Sequence, residues 1–373
     1  MRIRSIEPIA VNLPMRKPVV MASEEIRRAE NLLVRVEADN GCVGWGEAGA
    51  APMHTGETVP GMTAAVEHLR PTLLGREVAD INGALAAMDG RMYGNHGAKA
   101  AIEIALHDLA GRDAGKPVYA LLGEKKRSYM TLLSVVGGGD LDGDLEDAAK
   151  KKAAGVTAYK IKIGIDTPAK DATRVRAICE KLGSGLLISA DANQGYSTEQ
   201  AIEYVRAVKG CGLDFFEQPV LGHDLAGMAA VAAATEIAIG ADEGIHSLDD
   251  IRQHHERKAA RGVSLKAIKL GGLKALTEAS CLCDRLGMSV NISCKTGESS
   301  IACAAALHVA AVIPNMAWAL TLTHIGLAED VTGQSIRTDC GHVECLERPG
   351  LGIEVDENRV RRYRVPISTC NVA

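Results

Sequence analysis

Apolar and polar residues alternate in three short runs near the start of the chain, Ile3–Val11, Asn31–Glu37 and Val43–Gly46. A period of two predicts strands. The polar, arginine-containing segment Met15–Glu30 separates the first two runs, and Gly49–Gly56, carrying Met53 and His54, follows the third. Both are expected to be loops, of a size that often serves as a lid (near 15–30 and 49–57). From Thr63 to Leu122 the period becomes helical. In Gly97–Arg112, Ile102, Ala105, Leu106 and Leu109 share one stripe, and Gly115-Lys-Pro117 ends it. Residues 1–125 therefore read as an α+β domain.

Beyond residue 125, short apolar runs alternate with amphipathic stretches. Strands are predicted at Ser128–Val135, Ala158–Ile163, Leu186–Ala190, Leu213–Phe216, Ile237–Gly240, Ser264–Leu270, Met288–Ser293 and Ala317–Leu322. Helices such as Leu145–Ala154, Asp171–Lys181, Thr198–Lys209 and Leu273–Leu286 fill the gaps. Eight such strands with helices between them predict a parallel (β/α) barrel over 126–340. Gly350–Val365 is strand-like with no helix after it. A barrel has no place for a ninth strand, so 341–373 is expected to pack back on the N-terminal domain.

Composition narrows the class. The chain has 373 residues, 47% hydrophobic and 24% charged, as in a soluble globular protein with more than one core. Aromatics make up only 3%, so the core must come from Ala, Val, Ile and Leu, which suits parallel strands and close-packed helices. A net charge of −5 gives no reason to expect nucleic acid or an anionic membrane as a partner. The longest apolar run, Ile301–Pro314, contains His308 and falls short of the about 18 residues a membrane span needs. No signal-peptide pattern opens the chain. Ten cysteines are scattered without Cys-x-x-Cys spacing, so Cys281, Cys283, Cys340 and Cys345 are read as free thiols rather than zinc ligands. A cytoplasmic protein is expected.

The candidate chemistry sits at strand ends. Ala158–Gly164 reads Ala-Tyr-Lys-Ile-Lys-Ile-Gly, which puts Lys160 and Lys162 on one face of a strand. A solvated strand alternates in the same way. Yet two ammonium groups so close repel, and the repulsion favours losing a proton from one. Three consecutive strands then end in a carboxylate, at Asp191, Glu217 and Asp242. An Asp after a strand is often a helix N-cap, but three acids at matching positions would converge on the mouth of a barrel. Such anions repel unless a cation joins them, and oxygen-only donors point to Mg2+, with Mn2+ possible, rather than Zn2+. Lys266 and Lys269, three apart on the next predicted strand, should point to opposite faces, leaving one for the mouth. That strand lies half-way around the barrel from the one carrying Lys162.

In this order and spacing the motifs resemble the enolase superfamily, and within it the muconate lactonizing enzyme subgroup, over essentially the whole chain. The matching stretches are Gly97–Gly111 with Pro117–Gly123, Lys160-Ile-Lys162, Asp191-Ala-Asn-Gln-Gly-Tyr196, Glu217-Gln-Pro219, Asp242-Glu243, Lys266 with Gly271-Gly272, Glu298-Ser-Ser-Ile and Pro349-Gly-Leu-Gly352. The mandelate racemase subgroup is disfavoured, because Ser293-Cys-Lys295 offers no His and Lys266 stands where an Asp is expected.

The resemblance implies a modified TIM barrel, (β/α)7β, with an α+β capping domain. It implies an Mg2+-dependent isomerase that abstracts the α-proton of a small carboxylate through an enediolate, acting as a cycloisomerase or as a racemase or epimerase of an amino-acid derivative. Metal ligands would be Asp191, Glu217 and Asp242. Lys162 and Lys266 would be the acid/base pair, with Lys160 lowering the proton affinity of Lys162. Lys295, Glu298 and Asn193 are candidate substrate contacts. Lys295, with Arg16 and Lys17, would suit a second substrate anion. Thr321-Leu-Thr323 lacks the acids that would hold a free dipeptide ammonium. A hydroxy-acid dehydratase, or a silent barrel that binds an organic acid, are the alternatives, and a homo-oligomer is expected.

Overall fold

Three antiparallel strands open the chain, β1 (Ile3–Val20), β2 (Glu25–Ala38) and β3 (Val43–Gly49), in the order β1-β2-β3. The computed structural model describes residues 1–22, 24–137, 140–334 and 336–367. Pairing of β1 with β2 runs on to Val20 and Glu25, with a register shift between Pro14 and Val19. The expected loop over 15–30 is therefore largely a hairpin (Ser23 lies outside the described residues). Its arms pair through backbone groups, which need no apolar alternation, so the pattern did not announce them.

Helices α1 (Val59–Leu73) and α3 (His96–Ala114) cover this sheet, and α2 (Ile81–Arg91) packs against both helices. Helix α3 lies so close to β3 that a Cβ on Gly46 would sit 1.8 Å from the Ala101 carbonyl oxygen. It is buried on nearly every side rather than along one stripe. The sheet covers one flank, and on the other the Lys274 N–H of the barrel donates to Glu103 at 3.0 Å.

A short α4 (Tyr119–Leu122) leads to β4 (Tyr129–Thr131) and β5 (Leu133–Val136). The barrel continues with α5 (Leu141–Ala153), β6 (Ala158–Lys162), α6 (Pro168–Leu182), β7 (Leu187–Asp191), α7 (Thr198–Ala207) and β8 (Phe215–Glu217). Next come α8 (Leu225–Ala233), β9 (Ala238–Ala241), α9 (Leu248–Glu256), β10 (Gly262–Leu265) and α10 (Ala267–Leu270). It ends with α11 (Leu273–Arg285), β11 (Ser289–Ser293), α12 (Ser300–Val312) and β12 (Leu320–Thr321). Strands β5 to β12 form one parallel sheet in sequence order, and a parallel bridge between Leu132 and Leu320 joins its edges. This is a (β/α)7β barrel beside an antiparallel capping sheet. The predicted strand Ser264–Leu270 is only half a strand: it stops at Leu265, and Ala267–Leu270 turns as a helix capped by Gly271 in the left-handed region.

The barrel interior is layered. At the bottom Phe215 stacks on Trp318, ring centroids 4.0 Å apart, and Gly240 and Gly262 leave room for the indole. The two rings fill space that an aliphatic core was expected to fill. Above them, Asn291 accepts from the Ser264 hydroxyl and donates to the carbonyls of Trp318 and Ala319. The next level carries the lysines and carboxylates.

After the barrel, β13 (Thr338–Asp339) pairs with β14 (His342–Glu344), which pairs with β4, and α13 (Glu357–Tyr363) follows. A helix stands here instead of the expected strand because Asp356 caps it, accepting from the Asn358 and Arg359 N–H groups. The segment returns to the capping sheet, where the Val365 N–H donates to the Ala10 carbonyl. Residues 368–373 of the expected C-terminal segment lie outside the described ones. Among the described residues no helix is long and apolar enough to cross a membrane. The nine described cysteines are free.

Candidate active site

Strand register sets the level of the site. Lys162 pairs with Asp191 across β6 and β7, and Asp191 with Glu217 across β7 and β8. Glu217 faces Gly240, and Asp242 follows two residues later on the same side. The three strand-end carboxylates therefore gather at the C-terminal mouth, all buried.

Backbone just past the strands is strained to hold them. Asn193, Gln194 and Gln218 have positive φ (41°, 68° and 35°), which non-glycine residues adopt at a cost. Buried Gln218 uses its side-chain oxygen to accept from the Asp242 N–H at 2.8 Å, tying the end of β8 to that of β9.

Each carboxylate grips a lysine. Lys160 Nζ lies 2.7 Å from Glu217 Oε2 and 3.8 Å from Asp191. Lys162 Nζ donates to Asp191 Oδ2 and to Asn193 Oδ1, both at 2.6 Å. Lys266 donates to Asp242 Oδ2. Lys269 reaches the other Asp242 oxygen at 2.6 Å and the Ser264 carbonyl at 2.9 Å. The expectation that Lys266 and Lys269 point apart is thus corrected: the chain turns helical after Lys266, and both ammonium groups converge on one carboxylate. Strands β6 and β10 lie four apart in the ring of eight, so Lys162 and Lys266 rise from opposite walls.

The electrostatics follow from burial. Burial alone would raise the Asp242 carboxyl, but Lys266 and Lys269 outweigh it and hold it well below the usual range. Asp191 is lowered too, its burial overcome by Lys162 and Lys160. For Glu217 burial wins over Lys160, and the carboxyl is raised. Burial pulls Lys160 down, yet Glu217 and Asp191 raise it on balance, so it stays a cation beside Lys162. Lys266 is raised as well, its burial offset by Asp242 and Glu243.

A cavity of about 50 Å3 sits among these groups. Asn193 and Lys295 line it, with Met21, His54, Thr321 and Thr323. Glu298 does not. Its carboxylate accepts from the Gly49 N–H at 3.1 Å and the Lys295 N–H at 2.8 Å, which fastens the capping sheet to the loop after β11. Arg16 and Lys17 are exposed, and Arg16 donates to the Ile325 carbonyl. A larger hollow of about 860 Å3 lies by β13 and β14, away from the lysines.

Two donor sets bear on cation binding, one by its chemistry and one by its closeness. Asp191, Glu217 and Asp242 offer oxygen only, and buried Glu217 Oε2 accepts no hydrogen bond despite the nearby Lys160. Such hard, anionic donors match a divalent cation of the Mg2+ kind. Among the described residues, His54, Asp242 and Glu243 are the group that places one ligand atom each within 4.8 Å of one another, which the three strand-end carboxylates do not. Glu243, which accepts from Asn193 Nδ2 at 3.1 Å, is pushed up to about 8 by burial and by the Asp242 charge, so it is the poorer anion.

Lys269, His54 and Glu24 were not assigned roles from the sequence. The turn-forming Gly271-Gly272 pair was a usable signal for Lys269, since Gly271 caps the helical turn that carries it. Nothing in the sequence linked Glu24 to Lys295, 271 residues away, where its carboxylate accepts at 2.8 Å.

Known proteins share this chain's sequence pattern and fold. Residues 144–359 match the family described as enolase C-terminal domain-like, and residues 4–123 the mandelate racemase / muconate lactonizing enzyme N-terminal domain. The chain is 30% identical over 371 residues to an N-succinyl-L-Arg/Lys racemase of Bacillus cereus, covering 98% of each. It is 31% identical over 361 residues to an L-Ala-D/L-Glu epimerase of Bacillus subtilis, covering 95% of this chain and 97% of that one. Muconate lactonizing enzyme from Pseudomonas fluorescens, solved with muconolactone, superposes with a TM-score of 0.93 at 28% identity, over 98% of this chain and 99% of the other. The chain belongs to the enolase superfamily and, within it, to the isomerases of the muconate lactonizing enzyme subgroup.

Proposed function

We propose that the protein moves a proton at the carbon next to a substrate carboxylate, on both faces of that carbon, as a racemase or epimerase does. The observation that carries this is the placement of Lys162 and Lys266 on opposite walls of one buried mouth, each hydrogen-bonded to a strand-end carboxylate. One lysine accepts the α-proton and the other returns a proton from the far side. Lys160, held cationic against Glu217, keeps positive charge beside Lys162. Asn193 fixes the Lys162 ammonium through its side-chain oxygen.

Asp191, Glu217 and Asp242 are the residues that would hold a divalent cation, with Mg2+ the best match to their oxygens. When bound, the cation supplies a Lewis acid for the charge that develops on the substrate carboxylate and, by neutralising these ligands, lowers the proton affinity of both lysines. The burial of the site excludes water from the reacting carbon. Thr321 and Thr323 bring hydroxyls, not acids, to the wall. This supports a substrate without a free ammonium there.

A second reading is cycloisomerisation with one lysine as acid/base; the TM-score of 0.93 with muconate lactonizing enzyme is matched by that with an N-succinyl Arg/Lys racemase, so likeness of fold supports both readings equally. The test is exchange of the α-proton in D2O by the Mg2+-loaded protein with a panel of carboxylates. Exchange that disappears when Lys162 and Lys266 are both replaced by Ala supports proton transfer. Tight binding without any exchange would mean an acid-binding barrel instead.

A further inference from the structure

Lys295 is a cation on the cavity wall whose ammonium engages none of the strand-end carboxylates. Its side chain is only 3% exposed, and its Nζ donates to Glu24 Oε1 at 2.8 Å. Glu24 comes from the other end of the chain, beside the tip of the β1–β2 hairpin, and its side chain keeps 20% exposure. A buried lysine needs a counter-charge. Here it is met by a carboxylate reaching in from a rim element rather than by one built into the barrel. The Lys295 backbone is fixed independently, with its N–H donating to Glu298 and its carbonyl accepting from the Thr323 hydroxyl at 2.8 Å. The ammonium is therefore a positioned group, and a carboxylate demonstrably fits against it.

A second observation points to a ligand at the same cavity. His54 also lines it, its side chain 3% exposed, and its Nδ1 is buried without a hydrogen-bond partner. Lys295 and His54 line the same cavity of about 50 Å3. Native structures seldom leave such an atom unpaired, and a polar ligand would pair it.

We propose that Lys295 and His54 form a second polar subsite, in which Lys295 binds a second carboxylate of the substrate and Glu24 occupies that position until substrate displaces it. The inference rests on the α-carboxylate reading above and narrows it to dianionic acids with a polar portion beside His54. Glu24 acts as an internal competitor, so its removal strengthens binding while removal of Lys295 weakens it. A merely structural ion pair would lose in both.

Calorimetry on the Mg2+-loaded protein tests this with acids matched in chain length, butyrate against succinate and valerate against glutarate. Each diacid is expected to bind about 10- to 100-fold more tightly than its monoacid, the effect of one charge-assisted hydrogen bond in a buried site. Lys295→Met brings the diacid affinity down to that of the monoacid, Lys295→Arg retains part of the preference, and Glu24→Gln raises diacid affinity several-fold. Monoacids that bind as well as diacids, or a preference that survives Lys295→Met, would overturn the subsite while leaving the α-carboxylate reading intact. Glu24→Gln weakening the diacids would also overturn it. If none of the four acids binds, the α-carboxylate reading fails and the subsite with it.

Discussion

Each lysine at the mouth is defined by the carboxylate it holds. Lys160 illustrates the consequence, because Glu217 is buried and its compensation comes from that ammonium. Removing one partner of a buried pair typically costs about 3–5 kcal/mol. In metal-free protein, Lys160→Met should therefore lower the urea-unfolding free energy by about that amount. Added Mg2+ should recover more of the stability of the variant than of the parent, since Glu217 then regains a cation. At this scale the sequence was informative where chemistry repeats with position: Lys160-x-Lys162 and three acids at three strand ends. It was silent on Glu24 and His54, because those contacts depend on where a hairpin and a loop from another element arrive. Glu298 shows the converse. Its motif position suggested substrate, yet its oxygens are committed to two backbone N–H groups.

At the scale of elements, α3 links the capping sheet to the barrel, and Glu103 makes the connection to the start of α11. Burial pushes the Glu103 carboxyl up to about 7 against its ordinary 4.5. The folded state thus binds this proton more tightly than the unfolded chain. The carboxyl's contribution to stability is fully present below about 4.5, falls as the pH rises toward 7, and is constant above. Melting temperatures at pH 5 and pH 8 should differ less in Glu103→Gln than in the parent protein, and an unchanged difference would contradict the assignment. Most elements were legible from periodicity, since helices and parallel strands bury repeating apolar positions. The exceptions have particular causes: polar hairpin arms that pair through backbone, a strand cut short where the chain turns into α10, and α13 started by the Asp356 cap.

For the whole molecule, two units meet over one buried site. The capping hairpin brings Glu24 and Met21, the barrel brings the lysines and acids, and the Glu298 contacts lock one to the other. On the proposed reading, a divalent cation held by Asp191, Glu217 and Asp242 would bind only the folded state. Mg2+ at about 100 times its dissociation constant should then add about 2.7 kcal/mol and raise the melting temperature. Asp242→Asn should abolish that increase, and a full increase in the variant would assign the ion elsewhere.

The central claim is that two lysines address opposite faces of one carbon. It is tested most directly by following α-proton exchange in D2O separately for the two enantiomers of an accepted carboxylate, in Lys162→Ala and in Lys266→Ala. Complementary losses are expected: each variant fails to exchange one enantiomer, a different one in each case, with rates falling about 100- to 10,000-fold. Exchange of both enantiomers lost equally in one variant and untouched in the other would contradict it.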